Sequence, residues 1–211
     1  TPHKEFVKPA EALEMTRLVD SVVRSVRIPV GVDVLWSGYR TAFDICKATG
    51  ARFIRVASYV DDVMPRYGLM IGCADEAMAY RRRLGLERNV AVFADVQVKH
   101  SEMIDKAKPL RRSVREAVVK GADGIIVTGT WTGVAPIMSD LHIARHFGRG
   151  LPIVVGSGST PENMGDFFTS SDALIVGTAI MTDRVVDRSK LDAYMDAYRS
   201  LRIRKFRKSL Q

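Results

Sequence analysis

Cysteine is nearly missing from this chain: Cys46 and Cys73 are the only two in 211 residues. They stand far apart, without CxxC or metal-ligand spacing. That excludes a disulfide framework and a cysteine metal site, and reads as two buried thiols in a reducing cytosol. Long apolar runs are missing too. The longest are strand-length, so no transmembrane helix is expected; no signal-peptide pattern is seen, and the expected compartment is the cytoplasm. No GxGxxG turn follows an early strand, which argues against a dinucleotide-binding sheet. Acidic residues are missing after Asp196, where Arg199, Arg202, Arg204, Lys205, Arg207 and Lys208 follow. Those six supply most of the net charge of +8, so the basic character belongs to a tail, residues 199–211, and not to a face of the domain spanning 1–198. Phe206 is the sole aromatic interleaved there, and nucleic acid is not the expected partner.

What is present alternates. Helical spacing runs over Glu11 to Arg27, with Leu13, Met15, Leu18, Val19, Val22 and Val23 apolar. A strand over Pro29 to Leu35 follows, then a helix over Tyr39 to Thr49 and a strand over Arg52 to Ala57. A long loop from Ser58 to Ile71 leads to a helix over Ala74 to Leu84. Asn89 to Lys99 reads as a strand, Arg112 to Lys120 as a helix, Gly124 to Thr128 as a strand and Asp140 to His146 as a helix. Two glycine-ended strands and a final helix from about Arg188 complete the order. Repeated βα units with apolar strands indicate a parallel sheet covered by helices. Six strands are expected. A closed eight-stranded barrel needs two more units in front, so the expected fold is a (β/α)₈ TIM barrel truncated to units three to eight.

The glycine-ended strands carry the ligand signal. Val155-Gly-Ser-Gly-Ser-Thr160 and Ile175-Val-Gly-Thr178 place bare backbone at adjacent strand ends. In TIM barrels a phosphate site is commonly built after strands seven and eight. Gly156, Ser157, Gly158, Gly177 and Thr178 are the candidate phosphate-binding residues. Thr160 and Pro161 read as the N-cap and first turn of the helix that follows. The competing reading is that these glycines only permit tight strand-to-helix turns.

Alternation along Ala91 to Lys99 puts Val92, Ala94 and Val96 against helices, and Asp95, Gln97 and Lys99 inside the barrel. The same logic turns Asp33, Arg55 and Thr128 inward. Asp95 and Lys99 are the candidate catalytic pair; Asp33, Arg55, Gln97 and Thr128 are candidate positioning residues. Asp33, Arg55 and Asp95 suit mutual neutralisation as well as they suit chemistry. Lys99, at the strand end, suits anion binding, a Schiff base or a proton shuttle. His100 should point away from the interior. His142 and His146 are four apart on a helix, but lack a third ligand, so neither a metal site nor a cofactor is expected.

Val92-Phe-Ala-Asp-Val-Gln-Val-Lys-His100, Ala122-Asp-Gly-Ile-Ile-Val-Thr-Gly-Thr-Trp-Thr-Gly133 and Val155-Gly-Ser-Gly-Ser-Thr-Pro-Glu-Asn163 resemble the BtpA/SgcQ family. Gly68-Leu-Met-Ile-Gly-Cys-Ala74 looks like the same family's loop, and the likeness runs from about Val7 to Tyr194. The resemblance implies a barrel of the ribulose-phosphate-binding class. It also implies a link to photosystem I biogenesis in one member and to a sugar-utilisation cluster in another. Departures are local. Asp33 stands where the family has Asn, Trp36-Ser-Gly-Tyr39 replaces an Arg-Asn-Asp-like stretch, Ala57-Ser58 replaces an Asn-containing strand end, and Gln97 replaces His. The family's first two strands, carrying a His and a Glu-Asn pair, are expected to be absent.

Two functions remain open from the sequence. One is a barrel enzyme binding a small phosphorylated metabolite, a sugar phosphate or nucleotide derivative. The other is a non-catalytic assembly or regulatory factor acting through a protein partner or a second copy of itself.

Overall fold

The computed structural model describes residues 7–208, and the side chains of residues 7–201. The basic side chains from Arg202 onward therefore lie outside the described residues, although the helix that carries them continues to Lys208. The first helix, α1 (Pro9–Ser25), starts with proline in its first turn, and the Lys8 N–H donates to the Glu11 carboxylate at 3.1 Å. Met15, Val19 and Val23, one turn apart, pack its inner stripe against the core. Helix α2 (Tyr39–Thr49) ends at Gly50, which is left-handed at φ +81° and donates its N–H to the Cys46 carbonyl. Helices α3 (Ala74–Arg83), α4 (Leu110–Val119) and α5 (Met138–Phe147) follow the expected alternation.

Six parallel strands form one curled sheet in the order β1 (Gly31–Asp33), β2 (Phe53–Val56), β4 (Ala91–Val96), β6 (Gly124–Val127), β7 (Ile153–Val155), β8 (Ala173–Leu174). Two short strands, β3 (Val63–Pro65) and β5 (Ser101–Met103), pair antiparallel outside it. The sheet is a TIM-type half-barrel: among the described residues β1 pairs only with β2, and β8 only with β7.

Register decides what faces inward. Gly31 pairs with Phe53, Asp33 with Arg55, Phe93 with Gly124 and Asp95 with Ile126, so these positions share the concave face. Their neighbours Val32, Ile54, Val92, Ala94, Ile125 and Val127 lie on the convex face. They pack with Phe43, Ala77, Val114, Ala117, Leu141 and Ala144 of the helices. Each such fully buried aliphatic side chain contributes about 1.5–3 kcal/mol. At the foot of the concave face the Phe53 and Phe93 rings meet edge to face at 5.5 Å. They lie over glycines: a Cβ on Gly31 would fall 2.0 Å from the Phe53 ring, and one on Gly124 2.4 Å from Phe93.

Several expected boundaries move. The segment Ser58 to Ile71, expected as loop, contributes β3, which pairs with β5 to lay a two-stranded flap across adjacent βα loops. Trp36, 5% exposed, sits with Ala57, Val63, Met70 and Val98 in a second apolar cluster that includes flap residue Val63. The strand expected to reach Lys99 stops at Val96, because Gln97 is left-handed at φ +48°. The helix expected at Thr160 starts later, as α6 (Met164–Phe167). A two-residue hairpin turn at Asp183-Arg184, both with positive φ, joins β9 (Met181–Thr182) to β10 (Val185–Val186). The last helix, α7 (Arg188–Lys208), begins where expected.

Candidate functional site

The concave face carries its charge near the C-terminal strand ends. Arg55 on β2 reaches across to β4 and clamps Asp95: Nε to Oδ1 at 2.9 Å and Nη2 to Oδ2 at 2.8 Å. Its Nη1 lies 3.8 Å from Asp33 Oδ2 on β1. The Asp95 side chain is fully buried, whereas that of Asp33 is 37% exposed. One guanidinium thus serves two carboxyls, one locked and one open to the mouth.

The environments push these groups apart. Burial raises Asp33 to about 6, with Arg55 pulling it down, Asp95 pushing it up and Lys99 pulling it down. Burial also raises Asp95, against the pull of Arg55 and Lys99. Lys99 is lowered, first by burial and then by the Arg55 charge. Its ammonium donates to the Gly156 carbonyl at 3.2 Å. Lys99 is thereby the group that joins the acid cluster to the first glycine turn.

Asp33, Arg55, Asp95 and Lys99 are brought together as the alternation implied. Gln97 is not. The left-handed turn at its backbone swings the side chain out of the expected position, and Nε2 donates to the Lys108 carbonyl at 2.9 Å. Thr128 faces the strand ends, but its hydroxyl accepts the Lys99 backbone N–H at 3.0 Å. It ties β4 to β6.

The glycine turns divide their tasks. The Gly156 N–H donates to Val127 O at 2.8 Å, so this glycine offers room rather than a donor. A Cβ there would fall 2.6 Å from Ile126 Cγ2 and 2.7 Å from Thr128 Cγ2. The Ser157 hydroxyl is likewise committed, accepting from Gly129 N at 2.9 Å and donating to Val134 O at 2.7 Å. Gly158 is left-handed at φ +69°, and a Cβ on it would lie 2.2 Å from Ala135 N. The loop after β6 therefore rests directly on this turn. The same loop reaches the second turn, where a Cβ on Gly133 would lie 3.7 Å from Thr178 Oγ1. Space around Gly177 is open.

Residues the sequence did not single out hold these pieces. Asn163 closes the first turn, donating Nδ2 to Gly158 O and accepting the Thr160 N–H, both at 2.8 Å. Ser159 and Tyr194 of α7 share a buried hydroxyl–hydroxyl hydrogen bond, which pins the turn from behind. Asp61, 2% exposed, accepts from Gln97 N at 2.8 Å and Ser113 Oγ at 2.7 Å, and pairs with Lys108 Nζ at 2.7 Å. Its partners are distant in sequence, and no local pattern announces them.

A cleft of about 840 Å³ opens between the flap and the loop after β6, whose Val134 and Ala135 line it and also rest on the Gly158 turn. Lys99 and Thr128 line it, with His100, Trp131, Pro136 and Asp140. Asp33, Arg55 and Asp95 do not line it; the cluster and the cleft meet at Lys99. His142 and His146 on α5 form no metal-type group of ligands among the described residues.

The model of the BtpA family matches residues 1–200. The chain is 33% identical over 199 residues to the photosystem I biogenesis protein BtpA of Synechocystis sp., covering 92% of this chain and 68% of that protein. It is 34% identical over 164 residues to an uncharacterized protein of Pyrococcus furiosus, covering 77% of this chain and 60% of that one. The chain thus spans about two thirds of the length of these relatives. Among solved structures it resembles phosphoribosyl anthranilate isomerase from Thermus thermophilus, with a TM-score of 0.60 at 13% identity over 88% of this chain and 80% of that one. Thiamine phosphate pyrophosphorylase from Pyrococcus furiosus gives 0.59 at 15% identity, covering 94% and 81%. At such identities the likeness establishes the barrel fold alone. No helix among the described residues is long and apolar enough to cross a membrane.

Proposed function

The chain belongs to the BtpA family, and on that premise we propose that it binds a small phosphorylated metabolite at its strand ends and acts on it by proton transfer. The phosphate sits at the Gly177–Thr178 turn, where space is open, and the Lys99 ammonium at the neighbouring first turn, 3.2 Å from the Gly156 carbonyl, supplies positive charge. The Gly156 to Gly158 turn, its Gly156 N–H and Ser157 hydroxyl already committed, shapes the wall. Asp33 is the acid–base group, because a carboxyl near pKa 6 exchanges its proton close to neutrality. Asp95 and Arg55 position it and set its charge. The observation that carries this reading is the cluster itself: two carboxyls and two cations on the concave wall, joined to the glycine turn through Lys99. The names of solved neighbours, a phosphoribosyl anthranilate isomerase and a thiamine phosphate pyrophosphorylase, are in keeping with a phosphorylated ligand.

The test is a thermal-shift panel of sugar phosphates, nucleotides and inorganic phosphate on the full-length protein. Phosphate esters are expected to raise the melting temperature, and Lys99→Ala to abolish the rise. No shift with any ester counts against the reading. A second reading, an assembly factor acting through protein partners, is favoured by the 33% identical relative named for photosystem I biogenesis. It predicts a partner complex that survives both Lys99→Ala and Asp33→Asn.

A further inference from the structure

The loop after β6 carries Trp131, whose indole is 57% exposed in the wall of the cleft. It is held in place. The His100 ring meets it at 5.0 Å with an interplanar angle of 66°. His100 is itself fixed, its ring Nε2 lying 2.7 Å from Thr132 Oγ1 and its backbone N–H donating to Thr130 O at 3.2 Å. The Val134 N–H closes the turn onto Trp131 O at 3.0 Å. A large aromatic face is therefore presented to the cleft with little conformational entropy left to lose.

Its place in the chain puts it near the second turn. Gly133, two residues on, abuts the Thr178 turn, and two residues of chain span at most about 7 Å. Trp131 is therefore near enough to the second turn for one small ligand to reach both. Lys99 lines the cleft and also reaches the first turn, donating to the Gly156 carbonyl at 3.2 Å.

We propose that Trp131, braced by His100, is a stacking platform, and that the ligand is a phosphate ester carrying a planar heteroaromatic ring, as in a nucleoside 5′-monophosphate. The proposal rests on the phosphate reading above and specifies its substrate class. Stacking of a base on an aromatic side chain strengthens binding by about tenfold or more.

Titration of the full-length protein with AMP, CMP, ribose 5-phosphate and adenosine, read by calorimetry and tryptophan fluorescence, separates the two ideas. The nucleotides are expected to bind about tenfold or more tighter than ribose 5-phosphate and to quench fluorescence. Trp131→Ala is expected to remove that advantage and the quench while leaving ribose 5-phosphate affinity unchanged, and Trp131→Phe to retain most of both. Equal binding of nucleotides and ribose 5-phosphate, or a nucleotide preference that survives Trp131→Ala, overturns the platform and leaves the phosphate reading standing. Binding of adenosine without any of the three phosphate esters overturns the phosphate reading and the monophosphate class with it, leaving a ring site alone. No binding by any of the four overturns both.

Discussion

Asp33 and Asp95 are the same side chain in two surroundings, one locked and one open. Asp95 is buried and clamped by both forks of Arg55; Asp33 keeps a third of its surface in the mouth and only a 3.8 Å approach from the same guanidinium. The Asp33 carboxyl sits at about 6, above its ordinary 3.8, so the folded state holds its proton more tightly than the unfolded chain. Its contribution to stability is full below 3.8 and is lost as pH rises through about 6. Asp33→Asn is therefore expected to raise the melting temperature relative to wild type at pH 7.5, by an amount that shrinks toward pH 4.5. Scanning fluorimetry at both pH values checks this, and a constant difference would show that Asp33 titrates normally. Arg55 has the opposite character. Arg55→Met leaves a buried carboxylate uncompensated and is expected to cost about 3–5 kcal/mol in urea unfolding. Arg55→Met with Asp95→Leu should recover much of that, because the second change removes the stranded charge.

At the scale of elements, the strands work as pairs of a ring and a glycine. Phe93 on β4 lies across Gly124 on β6, and Phe53 on β2 across Gly31 on β1. Gly124→Ala places a methyl group inside the Phe93 ring position and is expected to destabilise by about 1–3 kcal/mol. Adding Phe93→Leu should offset part of the loss; if the single substitution leaves stability unchanged, the ring is not confined as described. The flap of β3 and β5 shows the same dependence on remote partners. Lys108 ties it down by pairing with Asp61 at 2.7 Å and Glu116 at 2.6 Å, three segments meeting over one ammonium. Expected departures also became structural parts: Ser58, at the end of β2, donates to Asp61 O at 3.0 Å within this anchor.

At the scale of the whole molecule, the sheet is most cohesive at its middle. β2, β4, β6 and β7 pair on both sides, whereas β1 and β8 each pair on one side among the described residues. Hydrogen exchange followed by mass spectrometry is expected to show the slowest amides in β4 and β6 and exchange orders of magnitude faster at β1 and β8. Uniform protection across the six strands would mean that the outer strands are covered. The charge cluster lies toward one of these outer strands, since Asp33 is the last residue of β1. Asp33 is therefore held less rigidly than the first glycine turn, which follows the inner strand β7 and which α7 pins through Tyr194.

Much of this was legible before any coordinate. Alternation along β4, two glycine-ended strands and the spacing of apolar residues set the βα order, the inward faces of Asp33, Arg55 and Asp95, and the position of the turns, because each is a local, periodic property of the chain. Gln97 shows where periodicity ends: one left-handed residue, held by the distant Asp61, reverses a side chain that alternation places inside. The late start of α6 has a similar origin, since Thr160 and Asn163 satisfy each other first and leave the helix to begin at Met164. The sequence by itself determined the barrel order and the residue types at the strand ends. Only the tertiary structure decided which carboxyl is locked and which is open, that Lys99 bridges to Gly156, and that Trp131 meets His100 in the wall of the cleft. Those outcomes depend on burial and on partners dozens of residues away, and neither is a local property of the chain.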